Sequence, residues 1–171
     1  KSGVEVIMEA GAGTSASYID TQYEASGAKL TDRNTVLKDA EILLSINAPS
    51  DQDIQISGEN KVWIGVFQPL FNVEKMKDWA TKKISVFSLD TLPRTTRAQA
   101  MDVLSSQANI AGYKAVLVAA NASPHYFPMF MTAAGSIPPA KLLILGAGVA
   151  GLQAIATARR LGAVVEVFDT R

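Results

Sequence analysis

The chain reads as an α/β protein of two lobes with doubly wound parallel sheets, and three features of its 171 residues predict this. Short runs of Val, Ile, Leu and Phe alternate with polar-bounded, helix-like stretches, the period of βαβ units. From Thr95 to about Ala120 there is no Pro and a single glycine, Gly112, enough for a helix of about seven turns joining the lobes. A glycine-rich turn then separates a strand-like run from a helix-like one between 141 and 161.

In chain order, Val4–Met8 (VEVIM) predicts the first strand, with the turn Gly11-Ala12-Gly13 after it. Tyr18–Ser26 predicts a short helix with Ser17 and Asp20 as candidate caps. Strands are expected at Glu41–Ile46, Lys61–Phe67 and Ile84–Leu89, with a helix over Asn72–Lys83. Runs that are apolar on both faces imply a sheet covered on two sides. Trp63 and Trp79 are expected in the core. The first lobe is taken as 1–118, ending in the connecting helix over about 95–120. An interlobe loop follows at 119–139, rich in Pro, Met and aromatics, with Met129 and Met131 filling a hinge. The second lobe spans 140–171.

Composition excludes several functional classes. Hydrophobic residues make up 48% and charged residues 19%, with 16 Lys+Arg against 16 Asp+Glu, one His and no Cys. A disordered tail has fewer apolar residues and more net charge, and a disulfide-stapled module needs cysteines. Zero net charge without a basic cluster leaves no electrostatic footprint for nucleic acid. No thiolate is present for zinc, iron–sulfur or redox chemistry, so no metal site is expected. No secretory signal pattern opens the chain. Leu142–Ala158 carries no charge over 17 residues, but it is short for a membrane span and glycines split it. The first residue is Lys, not Met, so the chain is expected to be processed, cut from something longer or missing its beginning.

The densest chemical signal lies at 141–169. Lys141–Leu145 is strand-like; Gly146-Ala147-Gly148-Val149-Ala150-Gly151 follows, then the helix Leu152–Leu161, Gly162 and the strand Val164–Phe168. The first glycine suits a tight turn, the second lets backbone approach a pyrophosphate, and the third lets helix pack on strand. The helix amino end then offers unpaired N–H groups and a positive dipole to phosphates. Asp169, 18 residues past Gly151, stands where a carboxylate accepts bonds from the adenosine ribose and repels a 2′-phosphate. This is the start of a Rossmann unit, with NAD(H) favoured over NADP(H). Arg171, just beyond, either serves a 2′-phosphate, stacks on adenine or is solvated.

A second signal lies on the connecting helix. Gln99, Asp102, Ser105, Ser106, Asn109 and Tyr113 recur at spacings of three and four, while Met101, Val103, Leu104, Ile110, Val116 and Leu117 fill other directions. A helix covered nearly all round, with a narrow neutral-polar stripe, must find hydrogen-bond partners for that stripe. Two answers stand open: backbone of the other lobe, or a nucleotide between lobes, with Arg94 at the helix entrance and Gln99 and Asp102 reaching an amide.

The run from Pro93 to Val116 (PRTTRAQAMDVLSSQANIAGYKAV) closely resembles the NAD(H)-binding domain of the alpha subunit of proton-translocating NAD(P) transhydrogenases. Thr132-Ala133-Ala134-Gly135, Pro138-Pro139-Ala140, the glycine loop and Phe168-Asp169-Thr170-Arg171 match as well. The resemblance implies that Arg94, Thr95, Gln99, Asp102 and Ser105 hold the nicotinamide end, with Arg94, Gln99 and Asp102 positioning the reacting ring. It further implies that Gly146, Gly148, Val149, Ala150 and Gly151 lie against pyrophosphate and ribose, and that Asp169, Thr170 and Arg171 surround the adenosine. Hydride then passes directly to NADP⁺ on a partner domain, coupled to proton movement through a membrane domain. This implies a homodimer held peripherally through its complex on the cytoplasmic or matrix side of a membrane. Direct transfer requires orientation and no protein acid, base or nucleophile.

Family members begin with a further strand and a basic segment and continue beyond the position of Arg171, so completion of the second sheet by further chain or a partner is expected. Two rival readings stand beside this one. Alanine dehydrogenase shares the two-lobed plan but uses a His and a Lys in its first lobe, and the strand Val62–Phe67 offers neither. The lone His125 is read as structural. A truncated, non-catalytic NAD-binding module is the other rival. Gly11 and Gly13 are assigned to a turn, and Lys114 to solvent.

Overall fold

The computed structural model describes residues 3–170, and these form two compact units that divide between Pro93 and Arg94. In the first unit, β1 (Ile7–Glu9), α1 (Asp20–Ala25) and β2 (Lys29–Thr31) form a βαβ unit, with β1 and β2 parallel and Ile7 opposite Lys29. Then come α2 (Arg33–Asp39), β3 (Ile42–Leu44), α3 (Asp51–Ser57), β4 (Val62–Gly65), α4 (Val73–Thr81) and β5 (Ser85–Ser88). Strands β3, β4 and β5 form a parallel sheet in that order, as the alternating pattern predicts.

Local chemistry starts these helices. The Asp32 carboxylate accepts from the Thr35 N–H at 3.1 Å and opens α2. Ser50 and Asp53 cap α3 reciprocally: Ser50 Oγ accepts from the Asp53 N–H, and the Asp53 carboxylate accepts from the Ser50 N–H at 2.9 Å. For α1, Ile19 is the cap residue and Gln22 Oε1 accepts its N–H; Asp20 instead accepts from the Gly11 N–H at 2.9 Å and ties down the turn after β1. Ser17 ends a 3-10 turn with φ +63° rather than capping α1.

The first core comprises Leu37, Leu43, Ile54, Trp63, Phe67, Trp79 and Ile84, with Phe67 edge-on to Trp79 at 5.7 Å between ring centroids. Both tryptophans are buried, as expected. The sheet is not covered on two sides, however: Leu43 is buried while its neighbours Ile42 and Leu44 face solvent. Side chains alternate across a strand, and the core just described packs only one face of β3.

The second unit opens with a 3-10 helix (Thr96–Met101) and α5 (Val103–Ala122). An antiparallel hairpin follows, β6 (Phe130–Thr132) and β7 (Gly135–Ile137), then β8 (Lys141–Leu145), α6 (Val149–Arg160) and β9 (Val164–Phe168). Strands β8 and β9 run parallel, from Lys141 opposite Val164 to Leu145 opposite Phe168. Val116, Phe127, Ala154, Ala158 and Ala163 form its core, joining α5, α6 and the sheet.

Two expectations change here. The predicted helix over 95–120 is two elements, because Asp102 caps α5 and the preceding residues close tighter turns. By its contacts, α5 groups with the second unit. Nor is α5 covered nearly all round: Gly112 and Val116 are buried, but Leu104, Ile110 and Val118 are exposed, since α5 packs through one narrow face. Within 119–139 the hairpin turns on Thr132 and Gly135: the Ala134 N–H donates to Thr132 Oγ1, and that hydroxyl donates to the Gly135 carbonyl at 2.9 Å. No helix among the described residues is long and apolar enough to cross a membrane.

Candidate functional site

Both sequence signals fall in the second unit, in 94–105 and 146–169. In the first segment, three-residue closures follow one another. The Ala98 N–H donates to the Thr95 carbonyl, the Asp102 N–H to the Gln99 carbonyl, and the Ser105 N–H to the Asp102 carboxylate at 2.9 Å. Ser105 Oγ donates to the other Asp102 oxygen at 2.6 Å, and Ser106 Oγ to the Asp102 carbonyl. These bonds hold the Asp102 carboxyl below its usual range, Ser105 first among the causes, with the Arg94 charge adding to the effect. Thr95, Gln99, Asp102 and Ser105 are thus gathered at the amino end of α5, with Arg94 near enough to act on Asp102 electrostatically.

The polar stripe is broken up accordingly. Ser105 and Ser106 find their partner in Asp102, while Gln99, Asn109 and Tyr113 present exposed groups. Gln99 lies in the 3-10 segment, so helical spacing to Tyr113 does not hold. His125 follows the opposite end of α5, a 20-residue helix about 30 Å long, and so stands far from Asp102.

The glycine loop behaves as three distinct positions. Gly146 has φ +96°, in the left-handed region that glycine tolerates. A Cβ on Gly151 would lie 1.9 Å from the Gly146 carbonyl oxygen, so the start of α6 packs directly on the turn. Gly148 differs: its φ is −71° and a Cβ there would meet nothing within 4 Å. The fold therefore does not require glycine at 148, and the space its missing side chain leaves opens onto the amino end of α6. Among the described residues no side chain caps that end, Gly148 having none to offer, and such an end suits an anion. Val149 and Ala150 form the first helical turn beside it. This is the fit a pyrophosphate needs.

Asp169 comes to the loop as well, its carboxylate accepting the Ala147 N–H, and the Gly146 N–H donates to the Phe168 carbonyl at 2.7 Å. The end of β9 is thereby fastened to the turn after β8. Thr170 is exposed beside it, and Arg171 lies outside the described residues. Two residues of this arrangement escape a reading of the sequence. Ala147 matters through its backbone, which sequence cannot signal; Gly112 is visible as the single glycine of a long helix, but its packing is not.

Residues 1–111 match the family model described as alanine dehydrogenase/PNT, N-terminal domain, and residues 115–171 its C-terminal domain. The chain belongs to the alanine dehydrogenase/PNT family. Within that family it is 44% identical over its whole length to the NAD(P) transhydrogenase subunit alpha of Haemophilus influenzae, covering 33% of that protein. It is 41% identical to the NAD(P) transhydrogenase subunit alpha of Cereibacter sphaeroides, over 100% of this chain and 33% of that one. The crystal structure of transhydrogenase from Sinorhizobium meliloti matches with a TM-score of 0.94 and 47% identity, over 99% of this chain and 51% of that one. An L-alanine dehydrogenase structure matches at 0.82 with 21% identity, covering 47% of that chain, which shows a shared fold. The chain thus spans about a third of the length of these two curated transhydrogenase subunits.

Proposed function

We propose that this chain is the NAD(H)-binding part of a proton-translocating NAD(P) transhydrogenase. The observation that carries the reading is Gly148, a glycine the backbone does not need, beside uncapped helix amides and in a loop to which Asp169 is fastened. Amides of 148–151 would hold the pyrophosphate, and Asp169 would accept from the adenosine ribose, with Thr170 and Arg171 alongside. Arg94, Thr95, Gln99, Asp102 and Ser105 would grip the nicotinamide end. Bound there, NADH supplies a hydride, two electrons and one proton together, which passes to NADP⁺ held on a partner domain.

The chain's contribution is placement. Asp102 is already fixed by Ser105, so it presents a preorganised acceptor, and the exposed Gln99 side chain stands one turn away to hold a carboxamide. No side chain needs to exchange a proton. The partner domain, a membrane domain that couples transfer to proton flow, a homodimer and a peripheral position on the cytoplasmic or matrix side complete the reading.

The test mixes the full chain with an NADP-binding transhydrogenase domain and follows reduction of an NAD analogue by NADPH. Transfer that depends on both components supports the reading; tight NADH binding with no transfer favours a non-catalytic module. L-alanine oxidation with NAD⁺ would revive the dehydrogenase alternative. Strand β4, Val-Trp-Ile-Gly, carries no proton-handling side chain for that reaction.

A further inference from the structure

We infer that Gly112 is a positioning residue that sets the distance between the two ends of the coenzyme site. The inference rests on the reading above but on a separate observation. A Cβ on Gly112 would lie 2.1 Å from the carbonyl oxygen of Ala150, 2.9 Å from its carbonyl carbon and 3.1 Å from its Cα. Helix α5 therefore meets the first turn of α6 backbone to backbone. The next residue, Gly151, makes the same kind of contact with the Gly146 carbonyl. Three backbones stack without a side chain between them: α5, the start of α6, and the turn after β8.

Gly112 is in mid-helix with no left-handed φ, so nothing in its own conformation calls for glycine. Relative to Ala it weakens the helix. Close packing is what that cost accommodates. Ten residues earlier, about 15 Å along the axis, stand Asp102 and its Ser105 bond. A helix transmits displacement as a stiff rod, so the depth at which α5 seats on Ala150 fixes where the 94–105 groups stand relative to the 146–151 amides. A ligand held at only one end is indifferent to that span; a dinucleotide held at both is not.

Seating an alanine at 112 requires the helices to part by about 1 Å. In the full chain carrying Gly112→Ala, NADH affinity should fall about tenfold relative to ADP-ribose, which lacks the nicotinamide, while ADP-ribose affinity changes less than about twofold. Val116→Ala, one turn further along the same face, removes volume without forcing the helices apart; it should lower Tm and leave the NADH to ADP-ribose ratio intact. An unchanged ratio in Gly112→Ala, or an equal fall in Val116→Ala, overturns the inference. Where Gly112→Ala does not fold, Ala108→Val, four residues nearer Asp102 on the same side, is read by the same ratio with the same expected loss. Failure of the unmodified chain to bind either ligand removes the coenzyme reading and this inference together. Normal binding there with no ratio change in the variants removes the inference alone.

Discussion

Arg33 grips Asp53 with two parallel bonds, Nε to Oδ1 and Nη2 to Oδ2, each 3.0 Å, while its remaining nitrogen Nη1 reaches Glu9 at 2.8 Å. One guanidinium thereby joins α2, the cap of α3 and the end of β1. Such fork geometry is available to Arg and not to Lys. Asp53 is nearly buried, and the Arg33 bond, opposed by desolvation and aided by Ser50, lowers its pKa from 3.8 to about 2.

Because the folded carboxyl titrates below the unfolded one, its stabilisation is fully present above pH 3.8 and is lost as pH falls towards 2. The Arg33 side chain is half exposed, so solvent screening limits the effect to about 2 kcal/mol at most. Thermal melts followed by circular dichroism across that range should show a decline that flattens in Asp53→Asn. A decline of the same steepness in the variant would assign acid sensitivity elsewhere.

Two glycines of one loop should separate fold from ligand. Gly151→Ala places a Cβ against the Gly146 carbonyl and should destabilise by about 2 kcal/mol or more. Gly148→Ala meets no protein atom, so Tm should hold while NADH affinity drops at least about tenfold through lost pyrophosphate space. Tight NADH binding by Gly148→Ala, measured by calorimetry, would show that phosphates do not approach there.

At the other end, Asp102 caps α5 and, in the proposed function, also places the nicotinamide. Asp102→Ala removes the α5 cap and should lower Tm by about 2–4 °C, whereas Asp102→Asn keeps an acceptor for the Ser105 N–H and should restore most of it. Both should slow hydride transfer, since neither offers a carboxylate. Full transfer by Asp102→Asn would reduce the residue to a cap.

Gln99 carries no such structural duty, being exposed. Gln99→Asn should leave Tm alone and slow hydride transfer far more than it weakens NADH binding, because shortening the side chain misplaces the ring without removing the phosphate contacts. Equal losses in rate and affinity would contradict ring placement by this side chain.

Asp169→Ala should weaken NADH by about 1.5–3 kcal/mol, one charged hydrogen bond. ADP-ribose should lose as much and nicotinamide mononucleotide nothing, because the affected end is the adenosine. A matching loss for the mononucleotide would place the acid at the wrong end of the ligand.

The parallel βαβ order, the buried tryptophans and the strand–glycine loop–helix–strand series are readable in the sequence, because each rests on local pattern: apolar periodicity, turn glycines and an acid at a strand end. Short elements held by single side chains are not. Lys29–Thr31 is too brief to show alternation, and α2 and α3 announce themselves only by Asp32 and by the Ser50–Asp53 pair. The start of α5 at 103 is also written locally, in Asp102 and Ser105, but the absence of Pro from Thr95 onward carries the predicted helix back to 95.

Sequence alone singled out the residues suited to a nucleotide, since a glycine, a carboxylate or an amide is suited to its partner by its own atoms. Tertiary structure decided how they are held. It put Asp169 on the Ala147 amide, left room beside Gly148, and laid α5 backbone against Ala150 at Gly112. Those are contacts between segments 22 to 38 residues apart. They depend on the closeness with which two helices and a turn can stack, and no local run of residues encodes that distance.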